Sequence, residues 1–358
     1  MRPHLRRTAL GAVLALATVL LAACGQSSAT GSSAGAADKA TTLRLGFFPN
    51  LTHAPALVGL QEGLFTKALK EQGVTVTPTA FNAGPDAVTA LFAGSLDIAY
   101  IGPNPTINAY AQSKGAAVRV IAGAASGGAA LVVRPGMTDA KGLSGKTIAT
   151  PQLGNTQDVA LRYWLKSQGL ATTTEGGGDV SIKPQANAEG LAAYASGSID
   201  GAWVPEPWVS EYVKAGATVL VNEATLWPAG KFVTTNVIVR TEFLEQHPDI
   251  VRAFLTGHVA ALDAIAKDPA AAKAAVNASL QSLTGSSIDT AVLDAAWKSL
   301  TFTADPLPAT LVESSKHAVD VGLADQGQID AAGGLPGPLY ALTLVNEVLT
   351  AAGKPALS

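Results

Sequence analysis

The sequence predicts an α/β protein of two similar lobes, each a mostly parallel sheet covered by helices, with a helical C-terminal region. Short apolar runs alternate with helical periods from residue 42 to about 240, as they do where helical crossovers join parallel strands. One helix-to-strand unit occurs twice: Asn82-Ala83, a helix and Gly94-Ser95-Leu96-Asp97-Ile98-Ala99 are echoed by Asn187-Ala188, a helix and Gly197-Ser198-Ile199-Asp200-Gly201-Ala202. The chain has 358 residues, 48% hydrophobic and 14% charged, enough for two cores at roughly 100–200 residues per domain.

The first residues stand apart from that pattern. Arg2, Arg6 and Arg7 precede an apolar run from Leu10 to Ala23, shorter than the ~20 residues needed to span a bilayer and arranged as an export signal. Leu21-Ala22-Ala23-Cys24 resembles a bacterial lipobox, which implies that Cys24 is lipidated and becomes the mature N-terminus. Residues 1–23 are therefore expected to be a signal peptide. Residues 24–41, rich in Ser, Gly, Ala and Thr, are expected to form a lipidated tether.

In the folded part, Thr42–Phe47 reads as a strand and His53–Phe65 as a helix ending near Gly63. Val74–Phe81 reads as a strand, and Pro85–Ala93 as a helix with Pro in its first turn and Gly just past its end. Asp97–Ile101 is a buried strand, and Val118–Ala122 and Leu131–Arg134 follow, separated by the turn Ser126-Gly127-Gly128. The second half repeats the rhythm with strands at 147–150, 199–204, 218–221 and 237–240 and a helix at 158–168. Beyond Glu242, Ala-rich amphipathic stretches predict helices around 249–266, 268–282 and 288–300.

Composition narrows the function. A net charge of −3, which becomes −6 once the three arginines of 1–23 are removed, and the lack of a Lys/Arg stripe argue against nucleic acid. One Cys excludes disulfide scaffolds and thiolate cages, and the histidines at 4, 53, 247, 258 and 317 lack metal-binding spacing. No metal or cofactor is expected. Gly31-Ser32-Ser33-Ala34-Gly35 imitates a nucleophile elbow without the required strand and helix. Gly145-Lys146-Thr147 imitates a phosphate loop, but Ala140 stands where its first Gly is required.

Ligands of open α/β sheets sit beyond the carboxyl ends of the strands, so four junction loops are the candidates for a cleft between the lobes. Phe48-Pro49-Asn50-Leu51-Thr52-His53 follows the first strand, with Thr52 as a potential cap. Gly102-Pro103-Asn104-Pro105-Thr106 reads as a Pro-stiffened turn. Gly154-Asn155-Thr156-Gln157-Asp158 opens a helix whose first turn can hold an anion without an arginine. Trp203-Val204-Pro205-Glu206-Pro207-Trp208 sets indoles and a carboxylate on a rim. Each has an ordinary structural explanation too: caps for Asn155 and Thr156, a surface or capping role for His53, packing for Trp208, and a solvated or interlobe group for Glu206.

From about Leu43 onward the chain resembles the solute-binding proteins of ATP-driven importers, in the branch serving nitrate, aliphatic sulfonates and taurine. The resemblance lies in Ala54-Pro55-Ala56 through Gln61-Glu62-Gly63-Leu64-Phe65, Leu91-Phe92-Ala93-Gly94-Ser95-Leu96-Asp97-Ile98, Leu143-Ser144-Gly145-Lys146-Thr147-Ile148-Ala149 and Asp200-Gly201-Ala202-Trp203-Val204-Pro205-Glu206-Pro207-Trp208. It implies a two-lobe periplasmic-binding-protein-like fold of type II, with lobe 1 over 42–137, lobe 2 over 138–228 and a return to lobe 1 with C-terminal helices over 229–358, closure on a small anion, and delivery to a membrane permease of the ABC class. It further implies a monomer on the outer face of the cell membrane. Carried onto this sequence, the contacts fall on Asn50, Thr52, Gly102, Pro103, Asn104, Asn155, Thr156, Gln157, Glu206 and Trp208, with His53 beside them. Two rivals stay open: a receptor for a neutral or pyrimidine-type solute on the same fold, and an extracytoplasmic hydrolase built on Ser126 or Ser144.

Overall fold

The computed structural model describes residues 40–357. The signal peptide, the Cys24 lipidation site and nearly all of the tether lie outside the described residues. In chain order the main elements are β1 (Thr42–Phe47), α1 (Ala54–Gln61), α2 (Leu64–Ala68), β2 (Thr75–Ala80), α3 (Gly84–Phe92), β3 (Ile98–Ile101), α4 (Pro103–Gln112), β4 (Val118–Gly127) and β5 (Ala129–Val133). The chain continues with β6 (Thr147–Thr150), α5 (Thr156–Ser167), β7 (Ser181–Pro184), α6 (Asn187–Ala195), β8 (Gly201–Pro205), α7 (Trp208–Lys214), β9 (Thr218–Asn222) and β10 (Val233–Arg240). Then come α8 (Thr241–Gln246), α9 (Pro248–Lys267), α10 (Pro269–Thr284), α11 (Thr290–Trp297), β11 (Leu300–Phe302), α12 (Pro308–Asp320), α13 (Gln326–Ala331) and α14 (Thr343–Ala351).

The strands form two sheets, ordered β11-β4-β10-β3-β1-β2 and β7-β6-β8-β5-β9. Helices cover both faces of each, with α1, α9, α10 and α14 on one side of the first sheet and α3 and α4 on the other. In the second sheet, α6 and α7 cover one face and α5 the other. The architecture is the α/β two-sheet fold of type II periplasmic binding proteins with a helical C-terminal region. Its sheets are mixed rather than mostly parallel, since β10 runs antiparallel to β3 and β4, and β5 antiparallel to β8 and β9. The reason lies in the connections. A strand fed by a helical crossover runs toward the cleft, whereas β5 and β10 enter their sheets from the other lobe, at the cleft end.

The first crossing is at Gly127-Gly128, with φ of 82° and 70°, a region that glycine enters without penalty. The second sheet therefore begins with β5, ahead of the expected boundary at 138. Gly102-Pro103-Asn104-Pro105-Thr106 is the start of α4 rather than a free turn, because proline in a first helical turn sacrifices no hydrogen bond.

The repeated unit is built alike in both halves, with corresponding residues 103 apart. The Arg44 N–H donates to the Asp97 carboxylate at 2.9 Å, and the Thr147 N–H donates to the Asp200 carboxylate at 2.9 Å. In return the Asp97 N–H donates to the Arg44 carbonyl and the Asp200 N–H to the Thr147 carbonyl, at 2.9 and 2.8 Å. Each aspartate thus locks the start of one strand to its parallel neighbour.

Candidate functional site

The strand ends and helix starts of the two halves converge on a small cavity between the sheets. It is lined by Phe48, Asn50, Thr52, His53, Asn82, Gly102, Pro151, Asn155, Thr156, Gln157, Asn187, Pro205 and Thr234. No Lys, Arg, Asp or Glu is among them. The void is about 20 Å³, enough for on the order of one small polar group.

Five helices of eight residues or more open at this point: α1, α3 and α4 from the first lobe, α5 and α6 from the second. None has a hydrogen bond from an N-cap side chain. The first N–H of α1 donates to the Leu51 carbonyl, and prolines occupy part of the first turns of α1, α3 and α4, while the N–H groups that remain at these helix starts carry a partial positive charge. Away from the cavity the picture is mixed, since α9, α12 and α14 also lack a side-chain cap whereas three others have one. Asp268, Asp289 and Asp325 cap α10, α11 and α13 with their carboxylates. A further group is unsatisfied in the same place. Thr156 is 6% exposed, and its hydroxyl has no hydrogen-bond partner among the described residues. The Asn187 side-chain oxygen, on the second lobe's copy of the Asn-Ala helix opening, is also without one.

Other groups shape the walls. Asp158, fully buried, accepts from the Thr150 hydroxyl and the Gly154 N–H, both at 2.9 Å, and from Arg162 at 3.1 Å. This folds the 150–156 loop beneath the start of α5 and compensates the carboxylate locally. Burial pushes the His53 imidazole down to about 3. Its Nδ1 accepts the Phe48 N–H at 3.2 Å, so the neutral ring keeps its proton on Nε2 and serves as a donor. Gly102 faces Thr156 across the lobes so closely that a Cβ would lie 2.4 Å from the threonine hydroxyl.

The lobes meet around this cavity. The Leu51 N–H donates to the Glu206 carbonyl at 3.1 Å, and the Trp208 indole N–H to the Asn50 side chain at 2.9 Å. Gln152 reaches Asp86 at 3.1 Å, and Tyr163 of α5 stacks on His317 of α12 with ring centroids 3.6 Å apart.

Of the residues singled out from the sequence, Asn50, Thr52, His53, Gly102, Asn155, Thr156 and Gln157 line the cavity, and four do not. Pro103 sits one residue behind Gly102 in the first turn of α4, and Asn104 turns away to donate to the Ser314 carbonyl at 3.1 Å. Glu206 lies toward the crossing, held by Ser210 and Ser299. Trp208 lines an adjoining chamber of about 410 Å³ with Leu191, Leu280 and Ile288, which shares Asn50, Asn82 and Asn187 with the cavity. Sequence reasoning passed over Asn82, Pro151, Asn187, Pro205 and Thr234 as site residues. The internal repeat carried the signal for most of them. Phe48 and Pro151, Thr52 and Asn155, His53 and Thr156, and Gly102 and Pro205 are all pairs 103 residues apart. Asn82 and Asn187 hold the same place in the two Asn-Ala openings. Ser126, a nucleophile candidate, accepts the Phe232 N–H at 3.3 Å within the fold.

Comparison with known proteins agrees with this architecture. The model of the NMT1-like family matches residues 36–280. A Bacillus subtilis (strain 168) protein named, provisionally, for aliphatic sulfonate binding is 32% identical over 249 residues, 68% of this chain and 70% of its own length. The taurine-binding periplasmic protein of Escherichia coli (strain K12) is 32% identical over 203 residues, 56% of this chain and 59% of the relative. Among solved structures, the alkanesulfonate-binding protein of Xanthomonas axonopodis pv. citri bound to MOPS superposes with a TM-score of 0.66 at 20% identity. That match covers 85% of this chain and 99% of the other. The periplasmic nitrate-binding protein of Synechocystis PCC 6803 superposes with a TM-score of 0.69 at 16% identity, covering 87% and 89%.

Proposed function

The chain belongs to the NMT1-like family of solute-binding proteins, which are not catalysts, and from that premise we propose that it is the extracytoplasmic receptor of an ABC importer for a small organic anion with a singly charged oxyanion head. One observation carries the anion reading. Five uncapped helix starts and the unpartnered Thr156 hydroxyl surround one cavity that contains no ionised side chain. Such a site supplies partial positive charge and hydrogen-bond donors without a cation, which suits one delocalised negative charge. The head would take Thr156, Asn155, Gln157, Thr52, Asn50 and the backbone near Gly102. The organic remainder would extend past Asn82 and Asn187 toward Trp208. Sulfonate fits that division better than nitrate, because the adjoining chamber is lined largely by hydrocarbon.

Capture follows from where the donors sit. Those of α1, α3 and α4 belong to one lobe and those of α5 and α6 to the other, so only the closed arrangement presents all of them. A ligand shifts the equilibrium toward closure by those additional bonds alone. In this reading, lipidated Cys24 and its tether hold a monomer at the outer face of the membrane, next to the permease.

Calorimetric titration with methanesulfonate, taurine, nitrate, sulfate and thiamine-precursor pyrimidines tests the reading. Binding of a monovalent oxyanion, weakened in Thr156→Val, is the expected result. Heat from the pyrimidines together with silence from every anion would replace it with the neutral-solute receptor.

A further inference from the structure

Glu206 drew attention in the sequence, yet the central cavity makes no use of it. Its side chain faces a second interlobe groove of about 520 Å³, within the size range of small-molecule sites. α7, β5 and β9 form the wall on the side of lobe 2, and α11 forms the opposite wall, with Val209, Val213, Val219, Val292 and Ala295 supplying an apolar lining. Glu206 is 4% exposed. Its carboxylate accepts the Ser210 N–H at 3.1 Å, the Ser210 hydroxyl at 3.1 Å and the Ser299 hydroxyl at 3.4 Å, which leaves acceptor capacity on its oxygens.

No Lys, Arg or His among the described residues lies within ion-pair distance of that carboxylate. Lys214, at the groove's edge, is engaged with Asp289 across the lobes at 3.6 Å. A buried carboxylate without a countercharge is costly, and burial pushes Glu206 up to about 7. The groove therefore combines one buried carboxylate with no paired cation among the described residues, the three neutral donors already bonded to it, and a hydrocarbon wall contributed by both lobes.

We propose that this groove binds a small amphiphilic ammonium compound, its charged nitrogen on Glu206 and its hydrocarbon along the valines of α7, β9 and α11. A carboxylate would be repelled by Glu206. An alcohol would leave the charge uncompensated. The occupant is thus opposite in charge to the anion assigned to the central cavity, and the two sites are separate.

Hexylammonium chloride, hexanol and sodium hexanoate, each titrated calorimetrically into the mature chain at pH 8, provide the test. Hexylammonium is expected to bind at least tenfold more tightly than the other two. Glu206→Gln should lower its affinity at least tenfold. Ala295→Trp, which fills the groove from an exposed position while leaving Glu206 intact, should do the same, and it decides the matter alone if Glu206→Gln fails to fold. Equal binding of hexylammonium and hexanol, undiminished binding in Ala295→Trp, or competition between hexylammonium and the oxyanion bound centrally would each overturn the assignment.

Discussion

The two copies of the repeated unit differ most at the end far from the cleft. Asp97 is fully buried and paired with Arg44 at 2.5 Å and with Arg240 at 3.3 Å. Asp200 is 27% exposed and has only a long contact to Lys146, at 3.8 Å. Yet the backbone bonds are the same in both. Even the arginine that ends each crossing strand is placed alike, since the Arg240 N–H donates to the Asp97 carbonyl at 2.8 Å and the Arg134 N–H to the Asp200 carbonyl at 2.9 Å. The side chains then diverge. Arg240 turns to Asp97, whereas Arg134 binds the Tyr194 and Ile199 carbonyls and covers the Tyr194 ring. The difference teaches that the repeat preserves the role of aspartate as a backbone lock, while its ion pairing depends on how deeply each copy is covered.

That comparison can be broken most strongly at Asp97. Asp97→Ala removes a buried acceptor of a backbone N–H and one partner of each of two arginines, which keep only the Gly94 carbonyl and Glu242, so a loss of about 3 kcal/mol is expected in urea unfolding. At the cleft end, Gly102→Val should leave the melting temperature near wild type, because its φ of −72° suits any residue. The added Cβ meets Thr156 only when the lobes close, and oxyanion affinity is expected to fall about a hundredfold in calorimetry, roughly 2.7 kcal/mol. Thr156→Val, which removes one hydroxyl and preserves shape, should cost about tenfold in the same titration. Asp200→Ala should destabilise by only about 1 kcal/mol, and parity with Asp97→Ala would refute the account of unequal burial.

The smallest effect at neutral pH concerns the pair His53 and Thr156, where one half carries a titratable group and the other does not. His53 ionises near 3 when folded and near 6.5 when unfolded, so the unfolded chain binds more protons between those values. Its contribution to stability is complete above about 6.5 and is lost as pH falls toward 3. His53→Thr should match wild type at pH 7 and show a shallower decline in thermal midpoint between pH 6 and pH 4.

Much of the fold was legible because its signals are local. Strands at 42–47 and 147–150, the Gly94 and Gly197 helix ends, and the start of α5 near Asn155 follow from short-range patterning and backbone conformation. The start of α4 was read as a turn because proline marks both a turn and a first helical turn. The antiparallel course of β5 and β10 depends on which lobe a strand enters from, and no window of sequence records that. The site divides in the same way. Thr52, Asn155 and Thr156 could be named from helix-opening chemistry, and Asn50 from the family resemblance. Glu206 and Trp208 lie outside the small central cavity, Trp208 in the adjoining chamber and Glu206 toward the crossing, because a group at a strand end can turn to either side of a crossing.

The sequence by itself determined the alternation of strands and helices, the duplicated unit with its two aspartates, the export signal pattern and the absence of lysine and arginine from the four junction loops. These are matters of periodicity, glycine stereochemistry and residue type, all expressed within a few neighbours along the chain. Only the tertiary structure decided that residues 103 apart would line one cavity, that Gly102 would press against Thr156, and that Glu206 would lie buried with no cation beside it among the described residues. Those outcomes depend on how two sheets pack across the Gly127-Gly128 crossing, where contact is set by distance in space rather than by separation in sequence.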